Sequence, residues 1–183
     1  MKKLLFVMLL GAFAMNMNAQ EVKLGLKTGL NIANIRVNSL DADSRTGFHF
    51  GAIAELQLTD RFSIQPEVLY SQFGAEEESE SLRINYISIP IMAKYYIVDG
   101  FSFEAGPQFS FLANDELEVF SPIGSGVFNP EVNSFDLALN LGMGYQFNGG
   151  IFFQARYNLG LTNVQSNPDV KNGALQLSLG YRF

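Results

Sequence analysis

Read in steps of two, the chain divides into eight stretches in which apolar and polar side chains alternate. That period puts the two sets on opposite faces of a β-strand. The last nine residues, LQLSLGYRF, show it most simply: Leu175, Leu177, Leu179, Tyr181 and Phe183 on one face, Gln176, Ser178, Gly180 and Arg182 on the other. The same pattern predicts strands over 22–32, 48–58, 62–71, 86–97, 101–111, 134–147, 151–161 and 175–183. Leu69 breaks it in the third stretch.

The connections predict how the strands are joined. Short turns fall at 59–61, 98–100 and 148–150, and long loops near 35–45, 74–82, 114–133 and 164–172. Tight and long connections in alternation are those of an all-β, eight-stranded antiparallel up-and-down transmembrane β-barrel with both termini on the short-turn side. Asn148-Gly149 suits a hairpin, since both residues tolerate positive φ. Pro66, Pro90 and Pro107 sit inside predicted strands, and a closed barrel has no free edge to hold them, so a bulge is expected at each.

A soluble lipocalin-like barrel alternates as well, with its apolar face inward. Two features point to an apolar face turned outward to lipid. The polar face is rich in glycine (Gly25, Gly29, Gly51, Gly106, Gly142, Gly144, Gly160, Gly180), which weakens a strand unless a crowded interior needs the room. Aromatic residues of the apolar face gather near strand ends: Phe62, Phe101, Phe147, Tyr181 and Phe183 by the short turns, Phe48, Tyr70, Phe111 and Phe135 by the long loops. Two such belts match two membrane interfaces.

The first residues change the domain picture. Lys2 and Lys3 precede a twelve-residue apolar run over 4–15, too short to span a bilayer as a helix. With Ala19 before the cut, residues 1–19 read as a signal peptide and 20–183 as the barrel domain. The 164 residues left carry 10 basic against 18 acidic side chains, so a nucleic-acid partner is not expected. Zero cysteines means no disulfide framework in an exported chain. No later apolar run reaches the length of a transmembrane helix, and no nucleotide, zinc or flavin motif appears, so no cofactor is expected.

Outward apolar residues leave the charges inside: Lys23, Lys27, Lys94, Arg156 and Arg182 against Glu55, Glu67, Glu104 and Asp136. Buried charges must pair, and eight strands enclose a space that side chains can fill. A salt-bridged plug is therefore expected, with a narrow or gated channel as the alternative. His49, the one histidine, is expected inward near the outer rim; a lipid-modifying enzyme would need it beside a serine such as Ser44 and a carboxylate such as Glu104 or Asp136. The outer connections are acidic (Asp41, Asp43, Glu76, Glu77, Glu78, Glu80, Asp115, Glu116, Glu118, Glu131, Asp169) without calcium-loop spacing, as befits a solvated surface or a partner-binding one.

The segments YISIPIMAKYY (86–96), FEAGPQF (103–109), LNLGMGYQF (139–147) and ARYNLGLTN (155–163), in this order, resemble the outer-membrane β-barrel domain family of Bacteroidota, often called porin-family or PorT-like proteins. The resemblance implies an eight-stranded barrel in the outer membrane, in contact with its lipid. It also implies that the final strand, with Tyr181 and Phe183, is the signal for the barrel-assembly machinery. The function expected is that of a small non-enzymatic integral outer-membrane protein, structural or surface-interacting through its acidic loops.

Overall fold

The computed structural model describes residues 22–37, 40–41, 45–77, 80–121, 124–128, 133–162, 165–166 and 169–183. The proposed signal peptide lies outside them. Eight long strands run in order: β1 (Val22–Val37), β2 (Arg45–Thr59), β3 (Phe62–Glu77), β4 (Glu80–Val98), β5 (Phe101–Ser121), β6 (Phe135–Gln146), β7 (Ile151–Gly160) and β8 (Asp169–Arg182). Each pairs antiparallel with the next, and β8 pairs back onto β1 from Gly25↔Arg182 to Val37↔Val170, so the sheet closes. The register passes from Val22 through Leu56, Ile64, Ala93, Ala105, Leu141, Tyr157 and Leu175 and returns to β1 at Ile32, ten residues along. Strand number and stagger together set a barrel's width, and an eight-stranded one is just wide enough for side chains to fill.

The apolar set faces outward. Leu24, Leu26, Leu30, Phe50, Val68, Tyr95, Phe103, Leu141, Phe153, Leu177 and Tyr181 are all exposed on the outer surface. A band of this kind is unfavourable in water and favourable in lipid. Its ends carry aromatic clusters. Tyr145–Phe147, Phe147–Phe153 and Tyr181–Phe183 lie 4.8, 5.8 and 5.8 Å apart at the short-turn end, and Phe48–Phe50, Phe50–Tyr70 and Phe111–Phe135 lie 6.2, 5.5 and 5.6 Å apart towards the other.

Turn chemistry settles one end of the barrel. Thr59 Oγ1 accepts from the amides of Arg61 and Phe62 at 3.3 and 3.0 Å. Gly100 takes φ +80°, and in the last short turn positive φ falls on Gly149 and Gly150. The other end departs from the expected long loops. β3 runs to Glu77 and pairs it with Glu80 of β4, while β5 continues to Ser121 and a short strand, Gly124–Phe128, folds back on it. Leu40–Asp41 and Gln165–Ser166 pair in the same way with β1 and β8. Main-chain ladders do not need an apolar face once they leave lipid, so these hairpins outlast the alternation that revealed them. The 19 residues of β4 span about 60 Å, well beyond the ~25 Å apolar band.

The prolines also behave differently from expectation. No register shift occurs at Pro66, Pro90 or Pro107; the shifts lie between Gln57 and Thr59, Asn85 and Tyr86, and Tyr96 and Val98. Instead each proline sits in a two-pair gap in one ladder: Pro66 between β2 and β3, Pro90 between β3 and β4, Pro107 between β4 and β5. On its other side each stays in register, with Ile91, Gln108 and Leu139 respectively. A missing N–H removes one ladder bond, and pairing on the opposite edge carries the strand past it.

Candidate functional site

The inward faces converge on a filled lumen whose inner half, toward the short turns, is held by charge. Glu67 receives Lys27 Nζ at 2.8 Å and a two-pronged grip from Arg156, Nη2 at 2.6 Å and Nη1 at 2.9 Å. Arg156 Nε donates to Glu104 at 2.5 Å, and Gln154 donates to the other Glu104 oxygen at 3.1 Å. The planar guanidinium, with its donors in a fixed fork, can serve two carboxylates at once. Its stem has room because Gly142 is its cross-strand partner; a Cβ there would come 2.7 Å from Arg156 Cγ.

A second carboxylate centre lies nearer the short turns. Glu55 accepts from Ser63 Oγ at 2.6 Å and from Lys94 Nζ at 3.5 Å, and it also meets Tyr96 Oη and Arg182 Nη1. Gln65 links the two centres, donating to Glu67 at 2.7 Å and accepting from Lys94 at 3.2 Å. Lys27, Lys94, Arg156, Arg182, Glu55, Glu67 and Glu104 are thus one connected set. Lys23, the cross-strand neighbour of Glu55, is half-buried at the mouth. Asp136 stands apart from that set, accepting from Thr162 Oγ1 at 2.6 Å.

Among the described residues, Asp136 apart, the outer half is filled by neutral groups. Asn158 donates to Asn140 at 2.8 Å and Asn140 to Gln108 at 2.9 Å. His49 Nε2 and Nδ1 lie 2.8 Å from Ser178 Oγ and from Asn31 Oδ1. The ring reaches Ser178 across Gly29, where a Cβ would approach its Cε1 to 2.7 Å. Above this layer Phe73, Ile84, Tyr86 and Ala174 form an apolar cluster that Leu112 joins.

Among the described residues His49 has no carboxylate partner, and Ser44 lies outside them. A serine, a histidine and an asparagine in a hydrogen-bonded row have the order of nucleophile, base and orienting group. Here Asn31 and His49 are fully buried and Ser178 nearly so, and a substrate must reach both nucleophile and base. The row reads as packing. Sequence reasoning singled out charged residues and passed over Asn31, Gln65, Tyr96, Gln154 and Ser178; their signal was only their place on the polar face. The acidic side chains of the outer connections lie outside what is described.

A closed barrel with an apolar belt, two aromatic rims and a salt-bridged lumen is an outer-membrane architecture. A family model described as outer membrane protein beta-barrel domain matches residues 18–166. The chain belongs to that family. Solved outer-membrane barrels share its fold: Ail, the attachment invasion locus protein of Yersinia pestis, is 17% identical with a TM-score of 0.61. Neisserial surface protein A is 14% identical with a TM-score of 0.64, and in both cases the match covers 89% of this chain and 99% of the other. Ail is also known in complex with the heparin analogue sucrose octasulfate. No curated protein matches the chain. It is a small integral outer-membrane barrel.

Proposed function

We propose that this barrel is a closed, non-enzymatic scaffold that carries its outer connections to the cell surface, and that envelope integrity or surface contact is its role. The observation that carries the proposal is the lumen: ion pairs whose side chains are fully buried cross it, with the apolar cluster outside them. Strands that outrun the bilayer support it too, since they carry the outer connections clear of the lipid.

The partners follow from the same features. Outer-membrane lipid covers the apolar band. The terminal strand, ending in Tyr181 and Phe183, serves as the signal to the barrel-assembly machinery after export through the 1–19 signal peptide, as in the Bacteroidota porin-family proteins the sequence resembles. The acidic residues of the outer connections favour a basic or cation-bridged surface partner over a sulfated ligand such as the heparin analogue bound by Ail.

Complementation tests this directly. In a deletion strain, the full chain should restore the envelope or surface phenotype. A barrel whose four outer connections are replaced by short turns should insert, keep its heat-dependent gel mobility, and fail to restore it. Full rescue by that trimmed barrel would show that the lumen or the belt, not the surface, is the working part.

A further inference from the structure

The short-turn end of the barrel opens into a bowl of about 880 Å3, within the range of small-molecule sites. Its wall is made by the three turns and its lining includes Lys23, Arg61, Tyr96, Gln146 and Arg182. Short turns of outer-membrane barrels face the periplasm, so the bowl is open to that compartment.

The charges beneath the bowl do not cancel. Four cations, Lys27, Lys94, Arg156 and Arg182, share three carboxylates, Glu55, Glu67 and Glu104. Among the described residues the remaining inward acid, Asp136, sits with Thr162 at the other end. On the rim, Asp60, Asp99 and Arg61 are exposed to water, where solvent and salt screen them. Among the described residues the buried groups therefore set the sign of the floor, and that sign is positive.

Arg182 is the member of this set that reaches the bowl. Its Nη1 is turned to Glu55 and to Tyr96 Oη, and its guanidinium lies 5.1 Å from the Phe152 ring. Its Nε has no hydrogen-bond partner, although the residue is only 6% exposed. A buried charged donor left in that state is an unmet demand for an acceptor. Lys23, on the neighbouring strand, places its ammonium-bearing side chain along the same space.

We infer that the periplasmic bowl is a binding site for one oxyanion, the phosphate or carboxylate of a periplasmic small molecule or of a lipid headgroup. The Nε edge is shielded from solvent, so Arg182 receives the anion by turning that edge into the bowl, where the planar fork meets two oxygens. Lys23 adds charge, and Tyr96 holds the guanidinium from below. Binding supplies the negative charge that the inner cluster lacks.

The test uses the full barrel refolded in a neutral detergent and followed by the Arg182 Nε–H NMR resonance. Inorganic phosphate or acetate should move that signal to a plateau, whereas chloride at equal ionic strength should not. Arg182→Lys keeps the charge and loses the fork, and should weaken binding about tenfold, read on the neighbouring Tyr96 and Gln146 signals. Should Arg182→Lys lose the heat-dependent gel mobility of the folded barrel, Lys23→Gln, at the mouth, serves as the second variant, expected to weaken binding about threefold. A short-chain anionic phospholipid that titrates where phosphate and acetate do not would assign the anion to a headgroup; saturation by the free anions would assign it to a soluble ligand. A non-saturating shift, an equal response to chloride, or unchanged titration in the folded variants would overturn the site.

Discussion

The two halves of the lumen are filled by different means. Toward the periplasm, Arg156, Lys27 and Lys94 hang on three carboxylates, so that most members serve two partners. Toward the cell surface, Asn140, Asn158, Asn31, His49 and Ser178 are joined by neutral hydrogen bonds beneath an apolar cluster. Removing one member of the charged set strands an ion in a place water does not reach; removing one neutral member forfeits a bond. The comparison predicts a barrel that is brittle at one end and tolerant at the other.

The largest effect should come from Arg156→Met, which leaves Glu67 and Glu104 short of their main partner. A loss of about 3–5 kcal/mol is expected from denaturant unfolding in detergent. A loss under 1 kcal/mol would mean that the charged half is not the brittle one. Gly142→Ala pushes a methyl onto the Arg156 stem and the facing strand, and should lower stability by about 1–3 kcal/mol in the same assay. Combined with Arg156→Met it should cost less than the sum, because the crowded stem is gone. In the neutral half, Ser178→Ala removes one bond to His49, and a cost of about 1 kcal/mol is expected. Ile84→Val trims one methyl from the apolar cluster and should cost about 0.5–1.5 kcal/mol. If Ser178→Ala rivals Arg156→Met, the contrast between the halves is wrong.

Face assignment was legible because the side-chain period of a strand is two and lipid tolerates few exceptions. The exceptions on the other face, among them Ile53, Leu69, Met92 and Phe152, are apolar residues that fill the lumen, where polarity is permitted and not required. Pairing inside the lumen was not legible. Glu67 and Arg156 are 89 positions apart, and they meet only because the closed sheet brings β3 and β7 to face each other across its axis. Sequence alternation gives no stagger, so it cannot say which inward residues share a level. The bulges were misplaced for a similar reason: proline forbids one bond, and the response depends on the ladder on its other edge. The outer hairpins were read as loops because the apolar signal ends where lipid does, while main-chain pairing continues.

The central claim is that the barrel is shut by its own side chains, and planar-bilayer recording of the purified protein tests it most directly. A membrane carrying the wild-type chain should stay silent, while Arg156→Ala, if it inserts, should leak, because the largest buried side chain bridging the lumen is gone. Steady, long-lived conductance from the wild-type barrel would contradict the account.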